Sequence, residues 1–347
     1  MTLTSSSALP LAAAFDALLF DLDGVLYIGE EPVPHAAASL DEVTASFGTQ
    51  RAYITNNASR TPEQVVDVLA KVGVLATVSE VVTSAQVAAA RLAADLPEGS
   101  AVLVIGGEGL LRALEAQGLR PVRSLADSPV AVVQGFHPDV GWRDLAMASA
   151  AVSAGLPWVA SNADLTIPTA QGIAPGNGTL IAAVSTATGA SPLVVGKPNT
   201  PAVFAAIERC GAQRPMIVGD RLDTDIEAAN RAEIDGLLVM TGVTDVDTLL
   251  GADPIHRPSH ICLDLRALLQ VYLAPTTEGT STSCGGWTFT AGEAGARLVE
   301  SGIDPELGLR ALAVASWSAL DQGAVAQTIT ESDAAKAVKD SLEARSD

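Results

Sequence analysis

A chain of 347 residues, 48% hydrophobic and 17% charged, is long enough for two or three domains and too apolar to be largely disordered. Acidic residues outnumber basic ones 40 to 20, and the resulting charge of −20 repels phosphate backbones, so nucleic acid is not an expected partner. Three scattered cysteines, Cys210, Cys262 and Cys284, supply neither a disulfide framework nor a zinc cluster and fit a reducing cytosol.

The opening "MTLTSSSALPLAAAFDALLFDLDG" looks superficially like a signal peptide. However, the first Lys or Arg is Arg51, and Asp16 and Asp21 break the apolar run. No uninterrupted apolar stretch is long enough to span a bilayer. A soluble cytoplasmic protein is expected, with no membrane partner.

From residue 16 to about 270, short Val/Leu/Ile runs alternate with helical patterns. The runs are Ala17–Phe20, Ala52–Ile54, Val81–Thr83, Val102–Ile105, Val130–Val133, Trp158–Ala160, Leu193–Val195, Met216–Val218 and Leu237–Met240. In "TPEQVVDVLAKVG", Thr61 and Gln64 predict a capping box, Pro62 the first helical position and Gly73 the stop. Such alternation predicts parallel sheets covered by helices, and the strand count predicts two α/β units.

From Ala274 the texture changes. "APTTEGTSTSCGG" reads as a linker, followed by a strand-like "WTFTA" and a helix-like "PELGLRALAVASWSALDQG". Leu309, Leu312, Ala313 and Leu320 fall on one face of that helix, which must bury itself against something, a homodimer partner included. "ESDAAKAVKDSLEAR" reads as a last, solvated helix. The tail reads as a small packing or dimerisation module; a remnant of an acetyltransferase-like α/β fold is the alternative, against which stand its shortness and the lack of a convincing pyrophosphate loop.

Polar groups with chemical potential stand immediately after the apolar runs, where a doubly wound sheet gathers its ligands. Asp21 and Asp23 follow the first run, and Gly24 lets the chain turn and leaves amides free for an anion. Thr55 and Asn56 end the second. Lys197, the only lysine between Lys71 and Lys336, follows "LVVG", and Asp220 and Asp225 follow "MIVG". "IGGEGLL" at 105–111 is not a full dinucleotide fingerprint and reads as a strand–helix turn; "APGNG" at 174–178 likewise leads into a helix. His137, Asn162 and Asp164 lie in turns, where helix capping competes with substrate reading. His256 and His260 lack ligand spacing and read as local structure.

The segments "DLDGV", "ITNN", "GKP" and "GDRLDTD" resemble, in order and content, the four motifs of the haloacid dehalogenase-like superfamily. "DLDGVLYIGEEPVP", "GKPNTPAVF" and "GDRLDTDIEAANRA" with the later "TGVT" are similar to the branch of p-nitrophenyl, phosphoglycolate and glycerol 3-phosphate phosphatases. The likeness spans roughly residues 16–270. Ala58 departs from it, standing where the branch often has Ser.

The resemblance implies a doubly wound parallel Rossmann-like core (residues 1–86 and 188–275) and an inserted α/β cap (87–187); residues 276–347 lie outside it and read as a small C-terminal accessory α/β module. It implies an Asp21 nucleophile forming an aspartyl-phosphate, Asp23 as acid and base, and phosphoryl contacts from Thr55, Asn56 and Lys197. Mg²⁺ would be held by Asp21, the Asp23 carbonyl and Asp220, with Asp225 steering metal-bound water. Cap residues would read the substrate, with His137, Asn162 and Asp164 as candidates. The implied activity is a phosphatase for a small phosphorylated metabolite, glycerol 3-phosphate first and 2-phosphoglycolate next. A carbon–halogen hydrolase is disfavoured because halide leaves without the proton Asp23 would give. A non-catalytic binding protein on the same fold is disfavoured by four intact motifs.

Overall fold

The computed structural model describes residues 9–169 and 172–346, which form two compact units, one of residues 9–51 with 212–346 and one of residues 52–169 with 172–211. Each of the nine apolar runs coincides with a strand, three of them overhanging it by one residue (Val130, Val195 and Met240).

In the first unit, four strands run parallel in the order His260–Cys262, Asp235–Val239, Pro215–Gly219, Ala17–Phe20. Ala17–Phe20 is buried along its whole length, which explains why it reads as a continuous apolar run without alternation. Its register with the neighbouring strand, Phe20 opposite Val218, brings the ends of the two strands within one residue of each other. Asp21 and Asp220 therefore emerge side by side.

The tail belongs to this same unit. Its composition suggested a linker over 274–286, yet Thr276–Glu278 and Ser281–Cys284 are strands, continued by Trp287–Gly292 and Gly295–Glu300 in an antiparallel meander. In Ser281–Cys284 burial alternates, with Thr282 and Cys284 inward, a period of two that a Ser/Thr-rich composition hides. The helix Pro305–Asp321 lies on this sheet and on the core. Leu309 and Leu312 are fully buried and Leu320 partly so, in one apolar cluster with Leu222, Ile226, Leu238, Leu249 and Ile261. The last helix, Asp333–Ser346, is not solvated all round: Ala334, Ala335 and Val338 are buried in that cluster.

Two buried arginines fasten tail to core. Arg310 Nε donates to Ile261 O (2.9 Å) and Nη1 to Leu273 O (3.1 Å); its guanidinium pairs with Glu306 and stacks 4.0 Å from the Tyr272 ring centroid. Arg257 makes a bidentate pair with Asp321, both bonds 2.8 Å. Trp317 Nε1 donates to Leu249 O at 2.9 Å.

In the second unit, Gln50–Thr55 and Val81–Thr83 pair in parallel, placing Thr55 opposite Thr83. Thr61 caps the helix Pro62–Lys71 with the expected Gln64 box. Five further strands make a parallel sheet in the order Leu193–Val194, Trp158–Ala160, Ala131–Gln134, Ala101–Ile105, Arg120–Val122. This sheet takes in Leu193–Val194, beyond residue 187, because those two residues pair with Val159 and Ala160. An antiparallel hairpin, Thr166–Thr169 with Gly172–Pro175, stands outside the sheet.

Candidate active site

In the first unit the structure brings three carboxylates together. Oxygens of Asp21, Asp220 and Asp225 all lie within 4.8 Å of one another. Asp220 is 1% exposed, Asp225 fully buried and Asp21 half-buried. Three buried or half-buried acids at that spacing repel strongly. Two unit charges 4 Å apart cost about 4 kcal/mol at an effective dielectric near 20, so the arrangement calls for a cation.

Glycines shape the recess. Gly24, at φ +82°, turns the chain after Asp23, and a Cβ there would stand 2.5 Å from Asp220 Cγ. A Cβ on Gly242 would also stand 2.5 Å from Asp220 Cγ, and one on Gly219 2.5 Å from Asp225 Oδ2. Real side-chain carbons do not approach that closely, so only glycine lets these carboxylates sit where they do. Val243 N donates to Asp220 Oδ2 (2.7 Å), and Thr241 Oγ1 donates to Gly24 O (2.6 Å), pinning the turn. Arg221 N donates to Asp225 Oδ2 (3.2 Å) across the π-helical turn Leu222–Ile226. Asp23 is exposed on the turn closed by Gly24 N and Tyr27 O (2.7 Å), outside the carboxylate trio. The donors are all oxygens, a set that suits Mg²⁺ rather than zinc.

Asp225, expected to act only through water, stands as close as the other two carboxylates. Thr241, Gly242 and Val243 belong to "TGVT", a segment that the sequence reading quoted without giving it a task. Their signal was its place after the Asp235–Val239 strand.

In the second unit Thr55, Asn56, Asn162, Asp164 and Lys197 form another group. Thr55 is 8% exposed, and its Oγ1 accepts from Asn57 N (3.1 Å). Lys197 is 2% exposed, with Nζ 3.4 Å from Ile54 O. Asn56 was expected to touch phosphate. Its side chain instead grips Lys197, Oδ1 accepting from Lys197 N (2.9 Å) and Nδ2 donating to Lys197 O (3.0 Å). Nδ2 also donates to the Asp164 carboxylate at 3.1 and 3.2 Å. Asn56 O accepts from Ser84 Oγ and Asn162 Nδ2, both at 2.7 Å. Ser84 was not foreseen, since a serine opening a helix reads only as a cap. His137 Nδ1 accepts from Asp139 N (3.3 Å).

"IGGEGLL" is the expected strand–helix turn: the strand ends at Ile105 and the helix begins at Glu108. His260 is buried between Phe15 and Tyr272, with ring centroids 5.9 and 4.7 Å away. Burial pushes its imidazole down to about 4, against the opposing pull of Asp235 and with a push from Arg310. Among the described residues no helix is long and apolar enough to cross a membrane.

Comparison with known proteins agrees with this geometry. Residues 18–120 match the haloacid dehalogenase-like hydrolase family and residues 194–268 a HAD-hydrolase-like family. The chain is 42% identical to the D-glycerol 3-phosphate phosphatase of Mycobacterium tuberculosis over 89% of its own length and 88% of that protein. A crystal structure of glycerol phosphate phosphatase Rv1692 from that organism, in complex with magnesium, superposes with a TM-score of 0.82, covering 89% of this chain and 92% of that one at 42% identity. An acid sugar phosphatase of Staphylococcus saprophyticus is 37% identical over 66% of this chain and 88% of its own. The chain belongs to the haloacid dehalogenase-like hydrolase family.

Proposed function

We propose that this chain is a Mg²⁺-dependent phosphomonoesterase that hydrolyses glycerol 3-phosphate to glycerol and phosphate through a covalent phosphoryl-enzyme. The observation that carries the proposal is the trio Asp21, Asp220 and Asp225, set by three glycines in a recess that a cation must neutralise. The choice of substrate rests on the relative of matching length, a D-glycerol 3-phosphate phosphatase.

Asp21, Asp220 and the Asp23 carbonyl would hold Mg²⁺, with Asp225 beside them. When bound, the ion offsets the charge between an attacking carboxylate and a phosphate dianion. Asp21 attacks phosphorus, and the bond to the substrate's alkyl oxygen breaks. Asp23, protonated at the start, gives that oxygen its proton. The Asp23 carboxylate then takes a proton from water, whose oxygen attacks phosphorus, and the bond to Asp21 breaks. Lys197 and Thr55 hold phosphoryl oxygens through both steps. The exposure of Asp23 suits a group that must meet the leaving alcohol and then water.

We assign residues 1–86 and 195–275 to the catalytic core, 87–194, whose sheet takes in Leu193–Val194, to a cap that keeps out bulk water and reads the substrate, and 276–347 to an accessory module. The partner is a small phosphorylated metabolite and not nucleic acid. Cys210, Cys262 and Cys284 are buried and form no disulfide among the described residues, which supports a cytoplasmic setting.

The test is a panel of glycerol 3-phosphate, 2-phosphoglycolate, pyridoxal phosphate and nucleoside monophosphates, with and without Mg²⁺. Glycerol 3-phosphate should give the highest kcat/KM, only with the ion, and Asp21→Asn should abolish turnover. A higher kcat/KM for another member would displace the substrate. An active Asp21→Asn would displace the mechanism.

A further inference from the structure

The Asn56 side chain has no hydrogen left for a ligand. An amide nitrogen carries two, and here Lys197 O takes one and the Asp164 carboxylate the other. The orientation is forced. Turned over, the amide would set its nitrogen against Lys197 N and its oxygen against both Lys197 O and a carboxylate. Gly196 closes the remaining space, since a Cβ there would lie 2.6 Å from Asn56 Oδ1. The Asn56 carbonyl is fixed as well, by Ser84 and Asn162, and Asn162 O accepts in turn from the buried Asn177 (2.7 Å). Asn56 thus clamps the peptide groups on both sides of the Lys197 Cα, and Asp164 locks the clamp. A carboxylate can only accept, and a charge-assisted bond is stronger than a neutral one, so Asp164 both strengthens the clamp and fixes its sense.

We propose that Asp164 is a positioning residue: by locking the Asn56 amide it sets the backbone of Lys197, and thereby the ammonium group that meets the phosphoryl oxygens. This rests on the role given to Lys197 above. It separates Asp164 from substrate reading. The ammonium serves the phosphoryl group common to all substrates, whereas a substrate-reading carboxylate would serve the alcohol alone.

The experiment measures kcat and KM on glycerol 3-phosphate and p-nitrophenyl phosphate with saturating Mg²⁺, for Asp164→Ala, Asp164→Asn, Lys197→Ala and the Asp164→Ala/Lys197→Ala double variant. Asp164→Ala should lower kcat/KM about tenfold, and equally on both substrates, the scale of a displaced contact rather than a lost group. Asp164→Asn, which keeps an acceptor oxygen, should recover most of the loss. In the Lys197→Ala background, Asp164→Ala should cost less than about twofold, because the group it positions is gone. If Asp164→Ala does not fold, Asn56→Asp replaces it. That substitution keeps the shape but faces Lys197 O and Asp164 with a carboxylate, and the same pattern is expected. A loss confined to glycerol 3-phosphate would overturn the proposal in favour of substrate reading. A loss that persists unchanged without Lys197 would overturn it in favour of a purely structural role. Wild-type kinetics in Lys197→Ala would overturn the role of Lys197 and this proposal together, whereas an impaired Lys197→Ala beside a wild-type Asp164→Ala would overturn this proposal alone.

Discussion

Substituting Gly242 with alanine tests the carboxylate recess without touching a charged group. The new Cβ would lie 2.5 Å from Asp220 Cγ, against about 3.4 Å for an ordinary contact, so the carboxylate must retreat by about 1 Å. It cannot retreat freely: Asp220 is 1% exposed, its Oδ2 is bonded to Val243 N at 2.7 Å, and Gly24 presses from another side. A misplacement near 1 Å in a reacting constellation costs about a hundredfold. Gly242→Ala should therefore lower kcat by that order and raise the Mg²⁺ concentration for half activity, while circular dichroism stays unchanged. The assay is phosphate release from glycerol 3-phosphate across a Mg²⁺ titration. Half-activity concentration and kcat both within twofold of wild type would refute the reasoning, since Asp220 would then tolerate the displacement.

His260 should make the fold acid-sensitive. Its folded value near 4 lies below the ordinary 6.5, so the neutral form favours the native state. That stability is complete above about pH 6.5 and is lost as pH falls towards 4, up to about 3 kcal/mol. His260→Phe should flatten the dependence of Tm on pH in that window, and an unchanged slope would contradict this. Gln134 is fully buried at the end of a central strand, and neither side-chain polar atom has a hydrogen-bond partner. Gln134→Met keeps the shape and removes a cost of about 1–3 kcal/mol, so Tm should rise by some degrees; a fall would show that the amide is satisfied in solution. Truncation after residue 275 strips the cover from Leu238, Leu249 and Ile261 and should give aggregation in size-exclusion chromatography, whereas a monodisperse, stable product would contradict the packing.

Much of this was legible because long-range demands left local traces. Strands buried on both faces read as unbroken apolar runs, and a carboxylate after such a run has few structural reasons to be there, so Asp21, Asp220 and Lys197 stood out. The capping box at Thr61 is a local device and appears as expected. The tail was misread where its pattern ran against composition. Thr282 points inward from a Ser/Thr-rich strand, and Arg310 is buried mid-helix by backbone carbonyls and a tyrosine ring contributed from other elements. Asn56 was read as a phosphate contact because its position after Thr55 was visible. Its grip on Lys197, 141 residues away, was not. The glycine walls of the recess were equally hidden, since what they make room for lies on another segment of the chain.

The most direct measurement is the stereochemical course at phosphorus, using a phosphate ester made chiral with oxygen isotopes and hydrolysed in isotopic water. Attack by Asp21 followed by attack of water on the phosphoryl-enzyme inverts the centre twice, so net retention is expected. Net inversion would mean a single displacement by water and would remove Asp21 from its role as nucleophile.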